Sequence, residues 1–199
     1  MKKNIFFLLL LLFSFGLKAK TFLFLGDSLT EGYGVSKEDA YPSLVEKMIK
    51  EKLKKEVKII NGGVSGSTTS DGLARLNWYL KRKPNVFLLA LGANDGLRGL
   101  KLEQTKKNLQ AMITKAKKNG IKVLLAGMLM PPNYGTEYTK KFENMYKDLK
   151  RKNNLKSMSF LLEGIAGKKE FNQRDGIHPN EKGHQVIAKK VFAFIKGEI

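Results

Sequence analysis

Short apolar runs alternate along the chain with longer segments in which apolar residues recur every three or four positions. The apolar runs predict buried β-strands and cover residues 21–25, 57–60, 86–91, 121–126 and 157–161. The amphipathic segments predict α-helices and cover residues 41–54, 70–80, 102–118 and 137–152, and Asn180 is placed to cap a final helix. Strands and helices are therefore predicted to alternate along the chain.

The strand runs are continuously apolar rather than alternately apolar and polar. Continuous runs are typical of parallel strands whose two faces are both covered by helices. We therefore predict an α/β fold, a three-layer α/β/α sandwich with a central, mostly parallel sheet. No repeat, linker or low-complexity segment interrupts residues 20–199, so we predict a single domain there.

Residues 1–19 depart from this pattern. Lys2 and Lys3 precede an unbroken apolar run over residues 5–13, and the small residue Ala19 follows a few positions later. A basic start, a short apolar stretch and a small residue predict a secretory signal peptide that is cleaved near Ala19. The run is shorter than the ~20 residues of an ordinary membrane span, and an uncleaved N-terminal anchor is the alternative. We therefore expect a periplasmic or secreted protein.

The chain is strongly basic, because 37 lysines and arginines outnumber 18 acidic residues and give a formal net charge of +19. Removal of Lys2, Lys3 and Lys18 with the signal peptide lowers this charge to +16. The lysines are spread through every predicted helix rather than gathered in one tract, so we predict no nucleic-acid partner. The charge belongs either to an ordinary solvated surface or to one attracted by anionic lipid head groups or cell-wall polymers.

Cysteine is absent and histidine occurs only twice. The absence of cysteine excludes disulfides and a lipid-modified cysteine anchor. With so few soft or nitrogen ligands, a metal-dependent hydrolase is poorly supported. We therefore predict neither a metal nor a cofactor.

Polar, glycine-rich segments follow each of the first three predicted strands. These are Gly26-Asp27-Ser28, the segment 61–66, and the segment 92–95, which contains Asn94. In open α/β sheets the functional groups collect at the carboxyl ends of the strands. The three segments are therefore expected to bring a serine hydroxyl, backbone amides at glycines and an asparagine amide to one edge of the sheet.

A hydrolytic serine also needs a base and a group that orients the base. His178 follows Asp175 by three residues in a tight turn that ends at Pro179, so the carboxylate is placed to accept the ring N–H. His184 lies within the final predicted helix, where we expect it on a solvated face. These residues predict a serine hydrolase that uses Ser28, His178 and Asp175.

In this order and spacing, four segments resemble the sequence blocks of the SGNH, or GDSL, hydrolase superfamily. The blocks are Gly26-Asp27-Ser28-Leu29, Gly66, Asn94 and Asp175-x-x-His178, and the resemblance runs from about residue 21 to the end. The segments 72–76, 94–99 and 132–135 are also similar to one branch of that superfamily. This branch comprises the bacterial periplasmic esterases with thioesterase, arylesterase and lysophospholipase activities.

The resemblance implies a role for each of these residues. Ser28 would be the nucleophile, His178 the general base and Asp175 the group that orients it. The backbone amides of Ser28 and Gly66 and the side-chain amide of Asn94 would form the oxyanion hole. The implied substrates are small acyl esters or thioesters, with no cofactor and no obligate protein partner.

The acyl chain is expected to bind to apolar residues from two segments that follow the third and fourth strands, although plain packing is an alternative role for them. These residues are Leu97, Leu100, Leu129, Met130, Pro131 and Pro132.

Five further side chains are expected to support the fold rather than the chemistry. Asp27 and Asp95 are expected to bond loop amides or each other's loops. Arg75 and Arg98 either lie free on the surface or hold loops in place. Trp78 is expected in the core.

Other functions and folds could use some of the same residues. A carbohydrate or cell-wall acetyl esterase would use the same triad with a more polar pocket, and a lipid- or sugar-binding module would use the cleft without turnover. An α/β-hydrolase is disfavoured because its Gly-x-Ser-x-Gly elbow needs a glycine where Thr30 stands. A dinucleotide loop is disfavoured because Asn61 replaces the first glycine of that fingerprint.

Overall fold

A computed structural model describes residues 19–199, so the predicted signal peptide lies outside the described residues except for Ala19. Five parallel strands form one sheet in the order β2-β1-β3-β4-β5. The strands are β1 (Lys20–Gly26), β2 (Val57–Gly63), β3 (Val86–Ala90), β4 (Lys122–Ala126) and β5 (Lys156–Met158). The strand order reverses beside β1, which creates the crevice where doubly wound sheets place their sites.

Helices cover the sheet in two layers, and the predicted three-layer α/β/α fold is confirmed. The helices are α1 (Ser28–Glu31), α2 (Tyr41–Leu53), α3 (Thr69–Leu80), α4 (Ala93–Leu97), α5 (Leu102–Lys118), α6 (Thr136–Asn153) and α7 (Glu181–Ile195). One layer is formed by α2 packed on α7, and the other by α3, α5 and α6 packed in series. Every helix of residues 19–199 is too short or too polar to cross a membrane.

The strands at the centre of the sheet are buried along their length. All side chains of β3 and the segment 22–25 of β1 are buried, which explains the continuous apolar runs. Burying one such leucine or phenylalanine side chain contributes about 1.5–3 kcal/mol. These two rigid strands end side by side, at Gly26 and Ala90, and so give the loops that follow them a fixed base.

Element boundaries differ from the predicted ones mainly at two strands. β2 continues to Gly63 because it stays paired with β1 to its end, where Gly63 lies opposite Gly26. β5 is shorter and starts one residue earlier than predicted, because the Leu161 amide turns to the carbonyl of Gly127 instead of extending the ladder. The predicted cap of the last helix is confirmed, since the Asn180 side chain accepts from the Gly183 amide at 3.0 Å.

His184 and Trp78 lie on the opposite sides from those predicted. His184 is only 1% exposed, and its Nδ1 accepts a hydrogen bond of 3.3 Å from the Tyr41 amide, which ties α7 to the start of α2. It shares the buried face of α7 with Ile187, so helical spacing outweighs residue type here. Trp78 is 54% exposed, and the guanidinium of Arg82 lies 4.1 Å from its ring centre.

Candidate active site

Ser28 is the first residue of α1 and lies two residues beyond the end of β1. Asp27 starts the helix by accepting a hydrogen bond of 3.0 Å from the Leu29 amide, and Gly32 ends it with a left-handed backbone. A helix of one turn holds the serine at the carboxyl edge of the sheet with only 8% of its surface exposed. The serine hydroxyl is therefore held on rigid backbone rather than on a mobile loop.

The structure brings the three predicted catalytic side chains together. His178 Nε2 lies 3.0 Å from Ser28 Oγ, and His178 Nδ1 lies 2.7 Å from Asp175 Oδ2. The other carboxylate oxygen, Oδ1, accepts from the backbone amides of Ile177 and His178, both at 3.0 Å. One carboxylate thus builds the tight turn and orients the imidazole at the same time.

Hydrogen bonds to Asp175 control its protonation state. Partial burial alone would raise the pKa of Asp175, but hydrogen bonds from the amide and ring of His178 and from the Ile177 amide outweigh it and lower the pKa to about 2. The carboxylate therefore stays ionised throughout the pH range in which esterases work.

Gln173 and Tyr33 hold the histidine turn against the serine helix. The Gln173 side-chain amide donates to the carbonyl oxygens of Tyr33 at 2.7 Å and Pro179 at 2.9 Å. The Tyr33 ring lies 4.7 Å, centre to centre, from the His178 ring. Sequence reasoning missed both residues, and only the nearness of Gln173 to Asp175 along the chain offered a signal.

The predicted oxyanion-hole groups come from three neighbouring strand ends. Gly66 lies in the loop after β2 with φ of +74°, a left-handed conformation that glycine adopts without strain. Within residues 19–199 the amides of Ser28 and Gly66 donate to no acceptor. The Asn94 side-chain amide donates one N–H to the Ser67 carbonyl at 3.1 Å, and its other N–H has no acceptor within residues 19–199.

Three charged side chains hold the Gly66 loop and the serine strand in place. Arg98 donates to the Gly66 carbonyl at 2.9 Å, and Arg75 donates to the Gly26 carbonyl at 2.8 Å. Of the two roles left open for these arginines, the structure therefore supports loop fixing. Glu31, which sequence reasoning missed, accepts hydrogen bonds from the backbone amide and the hydroxyl of Ser65.

Asp95 anchors the helix that carries Asn94, and its expected structural role is confirmed. The carboxylate is 2% exposed and accepts from the Thr69 amide at 2.8 Å and the Thr105 hydroxyl at 3.2 Å. These partners belong to α3 and α5. The position of Asn94 is therefore tied to two long helices.

Asp27 lies beneath the serine in an unusual environment for a carboxylate. Its Oδ1 bonds the Leu29 amide, as expected, but Oδ2 is buried and has no hydrogen-bond partner within residues 19–199. Burial raises the pKa of Asp27 to about 6, against the lowering effect of the Leu29 amide and of His178 and Arg75. This group therefore titrates in the weakly acid range.

Stability below neutral pH is expected to depend on two buried groups of opposite sign. The folded state favours protonated Asp27, so this group lowers stability as pH rises from about 4 to 6. Burial lowers the pKa of His184 to about 4, so the folded state resists its protonation and stability falls as pH drops from about 6.5 to 4. Shifts of this size correspond to about 3 kcal/mol each and largely cancel in the wild type.

Two substitutions should separate these contributions. Relative to wild type, the free energy of unfolding of Asp27→Asn should rise by about 3 kcal/mol as pH increases from 4 to 6.5, because only the His184 contribution remains. The free energy of unfolding of His184→Gln should fall by a similar amount over the same range, because only the Asp27 contribution remains. Urea unfolding across that range measures the free energy of unfolding. The assignment would be contradicted if the free energy of unfolding of both variants depended on pH in the same way as that of the wild type.

The six residues predicted to bind the acyl chain have different exposures. Met130 is buried against Gly96, Leu97 and Pro131 are half-buried, and Leu100 and Leu129 are exposed. Pro132 is exposed and begins the 3₁₀ helix Pro132–Tyr134.

Two tyrosines join the segments from which these residues come. The hydroxyl of Tyr134 donates to the Leu97 carbonyl, and that of Tyr138 donates to the Gly96 carbonyl, both at 3.0 Å. The predicted segments therefore meet beside Asn94. A separate cavity of about 620 Å³ lies between the Gly66 loop and α3, and none of the six residues lines it.

Within residues 19–199, no three His, Asp or Glu side chains are grouped so that they could hold a metal ion. The groups that the structure brings together are a serine hydroxyl, an imidazole and a carboxylate. Their arrangement is that of a nucleophile, its base and the group that orients the base.

Comparison with known proteins identifies relatives over most of the chain. The model of the GDSL-like lipase/acylhydrolase family matches residues 24–186. An arylesterase of Vibrio mimicus is 39% identical over 170 residues, which cover 85% of this chain and 84% of that protein. The thioesterase 1/protease 1/lysophospholipase L1 of Escherichia coli K12 is 36% identical over 184 residues, which cover 92% and 86%.

Solved structures agree with the sequence relatives. A crystal structure of TesA superposes with a TM-score of 0.87 at 34% identity, covering 90% of this chain and 100% of that one. AlinE4, an SGNH-hydrolase family esterase, superposes with a TM-score of 0.76 at 33% identity, covering 92% and 97%.

Proposed function

The chain belongs to the GDSL-like lipase/acylhydrolase family and is a hydrolase of ester and thioester bonds, and on that premise we propose that Ser28 is its nucleophile. The observation that carries the proposal is the continuous contact from Ser28 Oγ through the His178 ring to Asp175, with distances of 3.0 and 2.7 Å. Each contact is short enough for direct proton transfer or orientation.

The proposed reaction proceeds through an acyl-enzyme. Ser28 Oγ attacks the carbonyl carbon of the substrate while His178 Nε2 takes the hydroxyl proton. His178 then gives this proton to the departing alcohol or thiol, and the acyl group remains on Ser28. A water molecule repeats the sequence and releases the acid. Asp175 keeps the proton of the imidazole on Nδ1 and stabilises its cation.

The negative charge of the tetrahedral intermediate requires donors on one side of Ser28. We assign this role to the amides of Ser28 and Gly66 and to the free N–H of Asn94. The bonds from Arg98 to Gly66 and from Asn94 to Ser67 support the assignment, because they fix both donors before the substrate binds. Donors that need no reorganisation stabilise a transition state most effectively.

Removal of the Asn94 amide is expected to slow the chemical step without removing the nucleophile. Asn94→Ala should lower kcat by ~10²–10³ with a modest change in KM, because the donor acts mainly on the charge of the transition state. Steady-state kinetics on a soluble aryl ester measure both constants. Asn77→Ala, on the exposed face of α3, is the matched control. A raised KM with unchanged kcat would assign Asn94 to substrate binding instead.

The substrate class is proposed to be small acyl esters and thioesters, with the acyl chain held by the segments around Leu97 and Leu129. A hydrolysis panel of acetyl to palmitoyl aryl esters, the matching acyl thioesters and an acetylated sugar tests this. We expect turnover of several acyl lengths and of thioesters. Activity confined to the acetylated sugar would establish the acetyl esterase instead, and binding without turnover would establish a binding module.

We also propose export to the periplasm or beyond the cell. The proposal rests on Lys2, Lys3 and the apolar run that follows them. Mass spectrometry of protein purified from the native host should find an N-terminus at or near Lys20. An intact Met1 in a membrane fraction would replace this proposal with an uncleaved anchor.

A further inference from the structure

Within residues 19–199, all but one of the exposed large hydrophobic side chains lie on one edge of the sheet. Residues 19–199 expose seven of them, and the exception to the pattern is Trp78 on α3. The other six, each between 37% and 51% exposed, form what we call the apolar rim. The rim consists of Tyr33, Val64, Leu100, Leu129, Tyr134 and Ile177.

The apolar rim lies at the edge of the sheet that carries Ser28, because each of its members lies in a segment that leads from the carboxyl end of a strand to the next long helix. Val64 directly follows β2, and Leu100 follows β3 and α4. Ile177 lies inside the Asp175 turn, next to His178. Since the carboxyl ends of parallel strands share one edge of the sheet, these side chains lie on the same side of the molecule as Ser28.

A group of exposed apolar side chains at a cleft normally marks a site that binds a protein, a membrane or a ligand. Cations lie in the same segments: Arg98, Lys101 and Arg174 are exposed and form no ion pair within residues 19–199. The loop after Tyr33, by contrast, contains Lys37, Glu38 and Asp39, so its formal charge is −1.

Several carboxylates at this edge accept hydrogen bonds and keep their negative charge. Glu31 accepts from Ser65, Asp71 accepts from Thr68, and Asp175 accepts from His178. The positive charge is a property of the whole chain, whose net charge is +16 without the three N-terminal lysines, and the apolar rim is exposed on this cationic molecule. This combination is typical of proteins that lie on an anionic lipid surface.

We infer that the apolar rim seats the enzyme on anionic lipid surfaces, with the catalytic cleft facing the membrane. The inference rests on the proposed function, because an enzyme docked in this orientation would receive its acyl substrate at Ser28 directly from the lipid layer. A second copy of the chain is a poor occupant of the rim, since both copies would carry a net charge of +16 after loss of three N-terminal lysines. Anionic head groups instead complement that charge.

The test uses the mature chain with Ser28→Ala, so that lipid is not consumed and binding is measured apart from catalysis. Partitioning onto phosphatidylcholine vesicles with and without phosphatidylglycerol is measured by sedimentation. We expect preference for the anionic vesicles, and at least a ~10-fold loss of binding when Val64→Asp and Ile177→Asp are combined. Trp78→Asp, an exposed hydrophobic residue outside the rim, should change binding less than ~2-fold.

A fluorescence measurement reports insertion directly. The chain has a single tryptophan, so Trp78→Phe removes it and Ile177→Trp places the only indole on the rim. Emission from that variant should shift to the blue with anionic vesicles, while emission from Trp78 in the unsubstituted chain should not. Because both positions are exposed, neither change disturbs the core.

Three results would overturn the inference. These are equal loss from Trp78→Asp and from the rim variant, an unshifted Ile177→Trp emission, and binding lost only with Lys101→Glu and Arg174→Glu, which would leave charge alone as the cause. All are independent of hydrolysis. If the enzyme hydrolyses soluble esters but does not bind vesicles, the proposed function stands and the inferred lipid-docking surface is refuted.

Discussion

Ser28→Ala is expected to lower kcat for a soluble aryl ester by on the order of 10⁶, and to abolish covalent labelling by a fluorophosphonate probe. Ser28 Oγ is the atom that would form the bond to the acyl group, and it already lies 3.0 Å from His178 Nε2. Alanine at this position has no group that could take its place. Labelling followed by mass spectrometry identifies the modified residue, and steady-state kinetics measure the loss of turnover.

Two controls make this result specific. Ser70→Ala removes an exposed hydroxyl from the first turn of α3 and should keep labelling and turnover near wild type. His178→Ala alone, and combined with Ser28→Ala, should be about as inactive as Ser28→Ala, because residues that act as a unit give losses that do not add. Substantial activity in Ser28→Ala, or labelling at another serine, would refute the assignment of the nucleophile.

Local pattern carries much of what the sequence predicts about this protein. The apolar runs predict the strands because the residues of β1 and β3 are buried on both faces. The predicted catalytic side chains meet because Asp175 and His178 share one turn, and because Ser28 lies two residues beyond the end of a strand. Each of these inferences depends only on residues that are neighbours in sequence or on the shared edge of a parallel sheet.

Contacts between distant segments could not be predicted in the same way. Gln173 reaches the Tyr33 carbonyl across 140 positions, and Tyr41 meets His184 across 143. Residue type also misled the interpretation of single positions, since histidine is more often exposed and tryptophan more often buried than the structure shows here. The identity of a side chain says little about its partner when that partner belongs to another element.

Asp175→Asn is expected to lower kcat by ~10⁴ while leaving Ser28 and His178 in place. In the wild type, Oδ1 accepts two backbone amides and Oδ2 accepts the proton of His178 Nδ1. Asparagine has only one acceptor oxygen, and the two backbone amides require it at the Oδ1 position. Its NH₂ group then faces His178 Nδ1 and can only donate to it.

The imidazole must consequently carry its proton on Nε2, where it donates to Ser28 and cannot accept the hydroxyl proton. Because the pKa of Asp175 is lowered to about 2, the wild-type carboxylate is ionised at every pH of the assay, and the loss should persist across that range. Rates of aryl ester turnover and of fluorophosphonate labelling should fall by similar factors. Asp39→Asn, which alters a carboxylate bonded to Ser36 away from the triad, is the matched control. Activity of Asp175→Asn within ~10-fold of wild type would show that another group orients His178.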